Sequence, residues 1–416
     1  MVPLYKMKAF VAIWIAQAAA ALGSTFAVFI ISWLMYELTG SKMAMGMTWI
    51  TFMVPSLLTG LFSGPYLDRI NRKYVMIFSE WSRAVVFLIP LILLPLGMLE
   101  VWHLYFVTLI MGIAEPLFRP SSMAYVAQIL PKDRLMKGNS LLEGTMQMMM
   151  LVGPALGGVL MASFGASTVL IILVSALGVS GFVLLFIPNE GQIKNTKKEP
   201  WIVQFKEGIR FYRSFPVLFW IGILLMVTNF SSGAAQPMFL PYVLENLNGN
   251  ETQYGLYMSA FPVGMLLGSF VTGLVKQPKN LRRVMLGSLT VNGVFLGLLG
   301  WTSNFWVAVA LTVCTGFFAM VFTINNTTFY QKRVPDEVRG RVFTVRTLLA
   351  QAGIPVGAAL GGVFAEVWSL TALFTVLGLI VLVATTIAWN AKIFYHLNDD
   401  IPEEKKSRPL QPAVGK

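Results

Sequence analysis

Cysteine is almost absent from this chain: among 416 residues there is one, Cys314, and it lies inside an apolar run. No intrachain disulfide and no thiolate metal cluster can therefore form. Histidine is nearly as scarce. His103 and His396 fall one near each membrane surface, too far apart to share a metal ion or to complete a Ser-His-Asp arrangement within the membrane. No Gly-x-x-x-x-Gly-Lys-Ser/Thr loop occurs, which removes the usual cradle for ATP. Charge is thin as well, at 12% of residues against about 25% in ordinary globular domains. The expectation from these absences is a protein without metal or cofactor, and not an enzyme, since only carboxylates would remain to do the chemistry.

What the chain has in excess is apolar surface: 56% of its residues are hydrophobic and mean hydropathy is +0.69. Runs of about 20 apolar residues are long enough to cross a bilayer as helices. Twelve such runs can be read, from Phe10 to Tyr36 at the start to Leu370 to Phe394 at the end. The first follows Lys6 and Lys8 like a secretory leader but continues well past the length of one, so it reads as a membrane helix. The net charge of +12 would suit a nucleic-acid partner if it were clustered, yet nearly all Lys and Arg fall in the termini and in the loops after even-numbered runs. Lys42 alone sits in the opposite set of loops. That asymmetry is the positive-inside signal; it predicts a multi-pass protein of the cell membrane with both termini cytosolic, surrounded by lipid, and no nucleic acid.

The octapeptide Gly153-Pro-Ala-Leu-Gly-Gly-Val-Leu160 recurs as Gly357-Ala-Ala-Leu-Gly-Gly-Val-Phe364. At the same offset Pro131 falls on Pro335, Asp133 on Glu337 and Gln147 on Gln351, with no gap. A long repeat of this kind is a statement about architecture. It maps helix five on helix eleven and helix two on helix eight, so both copies run the same way through the membrane. The predicted fold is an all-α integral membrane protein, twelve transmembrane helices as two parallel-repeat six-helix bundles. Residues 1–187 form the first bundle, 188–215 a cytosolic linker, 216–395 the second bundle and 396–416 a disordered tail. Within the linker, Trp201, Phe205, Ile209 and Tyr212 share one helical face and Lys206, Arg210 and Arg213 another, which suits either an interfacial helix or a plain tether.

Several stretches resemble the major facilitator superfamily. Gly64-Pro-Tyr-Leu-Asp68-Arg69-Ile-Asn71-Arg72-Lys73 resembles its signature in the loop after helix two, with Asn71 where Gly is usual. Val152-Gly153-Pro154-Ala-Leu-Gly157-Gly158 resembles the helix-five motif of its antiporter, drug-exporting branch. Leu38-Thr-Gly-Ser41, Arg83, Arg119-Pro-Ser-Ser and Asn139-Ser-Leu-Leu look like the branch holding macrolide-efflux proteins and siderophore exporters. The resemblance implies gating roles for Asp68, Arg69, Arg72 and Lys73, with Asp68 meeting the start of helix eleven and Arg346 as its candidate partner. It also implies that Gly153, Pro154, Gly157 and Gly158 help seal the far side of the membrane. Glycines at this spacing let helices approach closely in any membrane protein, so packing alone is the plainer alternative. Pro154 removes a backbone hydrogen bond, and the first copy is expected to be kinked while the second is not.

Ionisable residues inside a bilayer are costly and usually mark a pathway or a pair. Glu115 and Arg119 stand four apart on helix four in the favourable order for a helix pair. Glu115 falls near the midplane, with Arg119 and Glu143 about a turn nearer the cytosol. The sharper reading makes Glu115 the carrier of a coupling proton and Arg119–Glu143 a pair that breaks and reforms. The plainer one neutralises Glu115 with Arg119, and Glu143 with Lys137. Glu80 reads as an end-of-helix residue reaching water, and Arg83 as structural. The superfamily's arrangement of helices nominates Gln17, Asn229, Gln236 and Asn325 for the substrate cavity, each equally able to serve as an interhelical bond. The reading that joins these features is a monomeric, proton-coupled exporter of bulky amphipathic small molecules such as macrolides. Siderophore export, lysophospholipid flipping, nutrient uptake and a non-transporting receptor or scaffold are the alternatives.

Overall fold

The computed structural model describes residues 4–67, 70–189, 208–212, 215–275, 278–335 and 338–399. Among them the long elements are all helices. The first six are α1 Lys8–Thr39, α2 Lys42–Leu67, α3 Arg72–Leu93, α4 Val101–Ile129, α5 Lys132–Phe164 and α6 Ala166–Leu184. The second six are α7 Pro216–Ala235, α8 Glu251–Leu274, α9 Leu281–Leu299, α10 Phe305–Arg333, α11 in two segments, Arg339–Gln351 and Gly353–Val367, and α12 Leu370–Asn390. In lipid every backbone polar group must be satisfied within the segment, and uninterrupted helices meet that demand. The boundaries are set by polar residues in the connections. The side chains of Asn71, Asn250, Asn280, Asn304 and Ser369 accept from backbone N–H groups in the first turns of α3, α8, α9, α10 and α12, caps worth about 1 kcal/mol each. Gly40, at φ +59°, closes α1 with its N–H on the Tyr36 carbonyl.

Eleven helices among the described residues are long and apolar enough to cross a membrane. The remaining run read from the sequence, the ninth in order, corresponds to α9, whose polarity comes from Arg282, Arg283 and Asn292. Arg282 is nonetheless buried. Its guanidinium stacks over Trp389 and Tyr395, 5.1 and 3.8 Å from the ring centroids, and bonds the Trp389 carbonyl. Cation–π contact with aromatic faces stabilises a buried guanidinium in this way.

The packing repeats with the sequence. α1 packs on α5 and α6, α3 on α4 and α6, and α2 on α4; six helices later, α7 packs on α11 and α12, α9 on α10 and α12, and α8 on α10. The two bundles meet through α5 with α8 and α2 with α11, which is one interface and its repeat-related mate. These are the two six-helix bundles expected from the duplication. Most of the linker, including Trp201, Phe205 and Lys206, lies outside the described residues; 208–212 are helical.

α5 runs through Pro154 as one helix; α11 divides into two segments at Ala352, whose backbone stays helical at φ −57° and ψ −26° with its N–H on the Leu348 carbonyl at 3.0 Å. Pro355 has no N–H to give the Gln351 carbonyl, and Gly353 beside it favours the helix weakly.

Candidate functional site

The duplicated octapeptide does the same work twice. Gly153 faces Thr25 of α1, and a Cβ on Gly157 would touch the Phe29 ring at 3.4 Å; in the second copy Gly357 and Gly361 lie against Phe230 and Ala234 of α7. The third glycine of each copy faces the other bundle. A Cβ added to Gly158 would come within 2.5 Å of the Glu251 carbonyl and 3.2 Å of Gly255 Cα. One on Gly362 would lie 2.9 Å from the Lys42 carbonyl and 3.2 Å from Gly46 Cα. Backbone meets backbone at both places, so any side chain would force the bundles apart.

Charged contacts close over these glycines. Glu366, near the end of α11, accepts the backbone N–H of Lys42 at 2.7 Å, that of Met43 at 3.2 Å and the Ser41 hydroxyl at 3.3 Å. A carboxylate there faces the positive end of the α2 dipole. Glu245, following α7, accepts the Tyr36 hydroxyl at 2.6 Å and pairs with Lys42 Nζ at 2.8 Å. Two glutamates of the second bundle thus hold the α1–α2 turn of the first. Sequence reasoning missed both, although Lys42, the one cation in its set of loops, was the available signal.

Toward the other end of the same helices the bundles separate around a cavity of about 440 Å³. Ser56, Leu57, Gly60 and Leu61 of α2, Pro116 of α4, and Phe343, Thr344, Thr347, Leu348 and Gln351 of α11 line it. Its lining residues are apolar with hydroxyl and amide groups and carry no charge, and Gln351 is the residue whose carbonyl Pro355, lacking an N–H, leaves free. Leu61 is about 22 Å along α2 from Gly46. None of the four nominated cavity residues is in this lining. Gln17 accepts the Ser122 hydroxyl at 3.2 Å, Asn229 donates to the Ala350 carbonyl at 2.9 Å, and Asn325 donates to the Val321 carbonyl of its own helix at 2.8 Å. Gln236 is exposed.

Inside the first bundle the structure holds the Arg119–Glu143 pair of the sharper sequence reading and neither pairing of the plainer one. Arg119 donates to Glu143 at 2.7 Å, so Lys137 is not the partner of Glu143. Glu115 does not meet Arg119; its carboxylate lies 3.9 Å from Arg83. Glu80, expected to reach water, is completely buried and accepts from Arg83 at 3.0 Å. Helical spacing favours i,i+4 pairs only when no neighbour offers more, and α3 packing on α4 brings Arg83 to Glu115. Glu115 remains about a third exposed, one residue before the cavity-lining Pro116, while Arg83 is 1% exposed.

Of the gating set, Asp68 and Arg69 lie outside the described residues. Arg72 opens α3 and Lys73 is committed elsewhere: its ammonium donates to the Leu185 and Ile187 carbonyls at 2.7 Å each, tying α3 to the end of α6. Arg346 stacks over Tyr330 and Phe343, at 4.7 and 5.3 Å, with Thr327 Oγ1 at 3.4 Å. Among the described residues no group of His, Cys, Asp and Glu is placed to hold a metal.

Comparison with known proteins agrees with this arrangement. A sequence profile for the transmembrane secretion effector family matches residues 1–414. Macrolide efflux protein A of Streptococcus pyogenes is 23% identical over 369 residues, covering 87% of this chain and 90% of that one. The multidrug efflux pump Tap of Mycolicibacterium fortuitum is 24% identical over 384 residues, 90% and 93% of the two chains. The crystal structure of a bacterial homologue of the iron transporter ferroportin superposes with a TM-score of 0.72 at 15% identity, covering 95% and 100%; at that identity the likeness is one of fold. With the profile running over nearly its whole length and the fold matched separately, the chain belongs to the transmembrane secretion effector family of the major facilitator superfamily.

Proposed function

We propose that this protein is a secondary transporter of the cell membrane that exports bulky amphipathic compounds, macrolides among them, in exchange for protons by alternating access. The observation that carries the reading is the uncharged cavity between α2, α4 and α11, on a chain whose relatives include a macrolide efflux protein and a multidrug efflux pump. A wall of leucine, phenylalanine and hydroxyl groups suits a large apolar ligand with scattered polar atoms. In this reading residues 1–187 and 216–395 are the two moving domains of a monomer, and the basic loops put both termini in the cytosol. The end sealed by Gly158, Gly362, Glu245 and Glu366 then faces outward, and the cavity faces inward. Glu115, a third exposed beside the cavity wall, is the group that takes up and releases the coupling proton. The exposed Arg119–Glu143 pair opens and closes as α4 and α5 shift.

The test is efflux from energised inverted vesicles with a macrolide and a panel of fluorescent lipophilic cations. Efflux that stops with a protonophore and returns with an imposed pH gradient is expected. Efflux indifferent to the protonophore would overturn the proton coupling, and no movement of any compound would overturn the substrate class.

A further inference from the structure

Behind Glu115, away from the cavity, lies a sealed charge cluster that the proposed function leaves without a role. Arg83 is its centre. Nη1 donates to Glu80 Oε1 at 3.0 Å, Nη2 donates to the Ser24 hydroxyl of α1 at 2.5 Å, and the same Nη2 stands 3.9 Å from Glu115 Oε2. Glu80 is wholly buried, and its second oxygen, Oε2, has no hydrogen-bond partner. Ser180 of α6 lies beside the Glu80 carboxyl and also reaches the Ala16 carbonyl at 2.9 Å, so its one proton serves either oxygen and not both at once. No other charge approaches. α6 carries no ionisable residue between Ala166 and Leu184, those of α1 lie at its ends, Lys8 and Glu37, and Arg119 of α4 is taken by Glu143.

One cation therefore stands between two carboxyl groups, one sealed in the bundle and one at the cavity wall. A bare, undonated carboxylate oxygen out of water is costly. A proton on Oε2 removes that charge, turns the oxygen into a donor facing Ser180 and leaves Arg83 and Glu115 as a neutral pair. We propose that Glu80 is a second proton-holding residue of the exchange cycle. It holds a proton in the conformation described, and Arg83 shifts between Glu80 and Glu115 as the proton passes from one carboxyl to the other. In that step the O–H bond at Glu80 breaks, the one at Glu115 forms and Arg83 closes on the carboxylate left behind, with no net change in charge. The cavity-side carboxyl exchanges protons with water while the buried one stores them. This rests on the proton-coupled reading of Glu115.

Infrared spectroscopy of the purified protein in lipid nanodiscs, across a pH titration, separates the two claims. A buried protonated carboxylic acid gives a carbonyl stretch distinct from that of a carboxylate. That band is expected in the wild type at neutral pH, lost in Glu80→Gln and retained in Glu143→Gln. A wild-type spectrum without the band, or a band unchanged in Glu80→Gln, overturns the proposal, because Glu80 would then be the fixed anion of an ion pair. In vesicles, Glu80→Gln is expected to lose uphill, pH-driven efflux while keeping downhill ligand exchange, and Glu80→Asp to recover part of it. Full pH-driven efflux in Glu80→Gln overturns the relay. If wild-type efflux ignores the pH gradient, the proton-coupled reading falls, and the infrared band still decides whether Glu80 holds a proton.

Discussion

The two bundles share one set of helix contacts but differ in what lies inside them. In the first, Glu80, Arg83, Glu115, Arg119 and Glu143 sit within the spans. In the second, the carboxylates Glu245, Glu251 and Glu366 all lie at helix ends, and Arg346 rests on aromatic rings rather than on an acid. Duplication preserved the packing glycines and not the charges. Close backbone contact is needed wherever the bundles touch, and both bundles touch; in the proposed exchange a titrating group is needed only once. The contrast separates what holds the two bundles together from the carboxylates within the spans, which among the described residues only the first bundle carries, and the proposed proton exchange falls to that bundle.

Substitutions can break this contrast. The largest effect is expected from Glu115→Gln, which should reduce pH-driven efflux to the level of empty vesicles while ligand exchange persists; pH-driven efflux at wild-type rates would show that the first bundle's charges are static. Next come Gly158→Leu and Gly362→Leu. Each adds a side chain where backbone meets backbone, at a cost of about 1–3 kcal/mol, and both should populate a state parted at that end. Distances between spin labels across the α5–α8 and α2–α11 contacts report this, and the two variants should behave alike because the interface is repeated. A smaller change is expected from Glu366→Ala, which removes the acceptor for the first N–H groups of α2 and should lower stability by about 1 kcal/mol, read from the thermal unfolding midpoint. The smallest is expected from Arg119→Gln: its pair with Glu143 is partly exposed at each partner, and the substitution should move the thermal unfolding midpoint less than Glu366→Ala does even where transport rates change.

Much of the architecture was legible because duplication writes itself in sequence. Gly153–Leu160 and Gly357–Phe364 named the helices that meet across the centre, and a missing side chain is a local fact a sequence can state. Partners across helices are not local facts. Glu115 and Arg119 looked like a pair because they share a helix face, yet α3 supplies Arg83, and nothing in the order of residues says which neighbour lies closer. Glu80 was misplaced for the same reason: depth along a helix can be counted, but whether α1 and α6 cover that depth cannot. Glu245 and Glu366 were overlooked because a carboxylate at a helix end is ordinary until the turn it grips is known.

The hydrogen bond that Pro355 removes from α11 has a mechanical consequence. The segment Gly353–Val367 stays seated on α2 and α7 through its glycines, while Arg339–Gln351 borders the cavity. A rigid rod would carry any displacement at one tip to the other. A rod short of one hydrogen bond beside Pro355 yields there first, so a load on the cavity-side segment reaches the seal beyond it weakened.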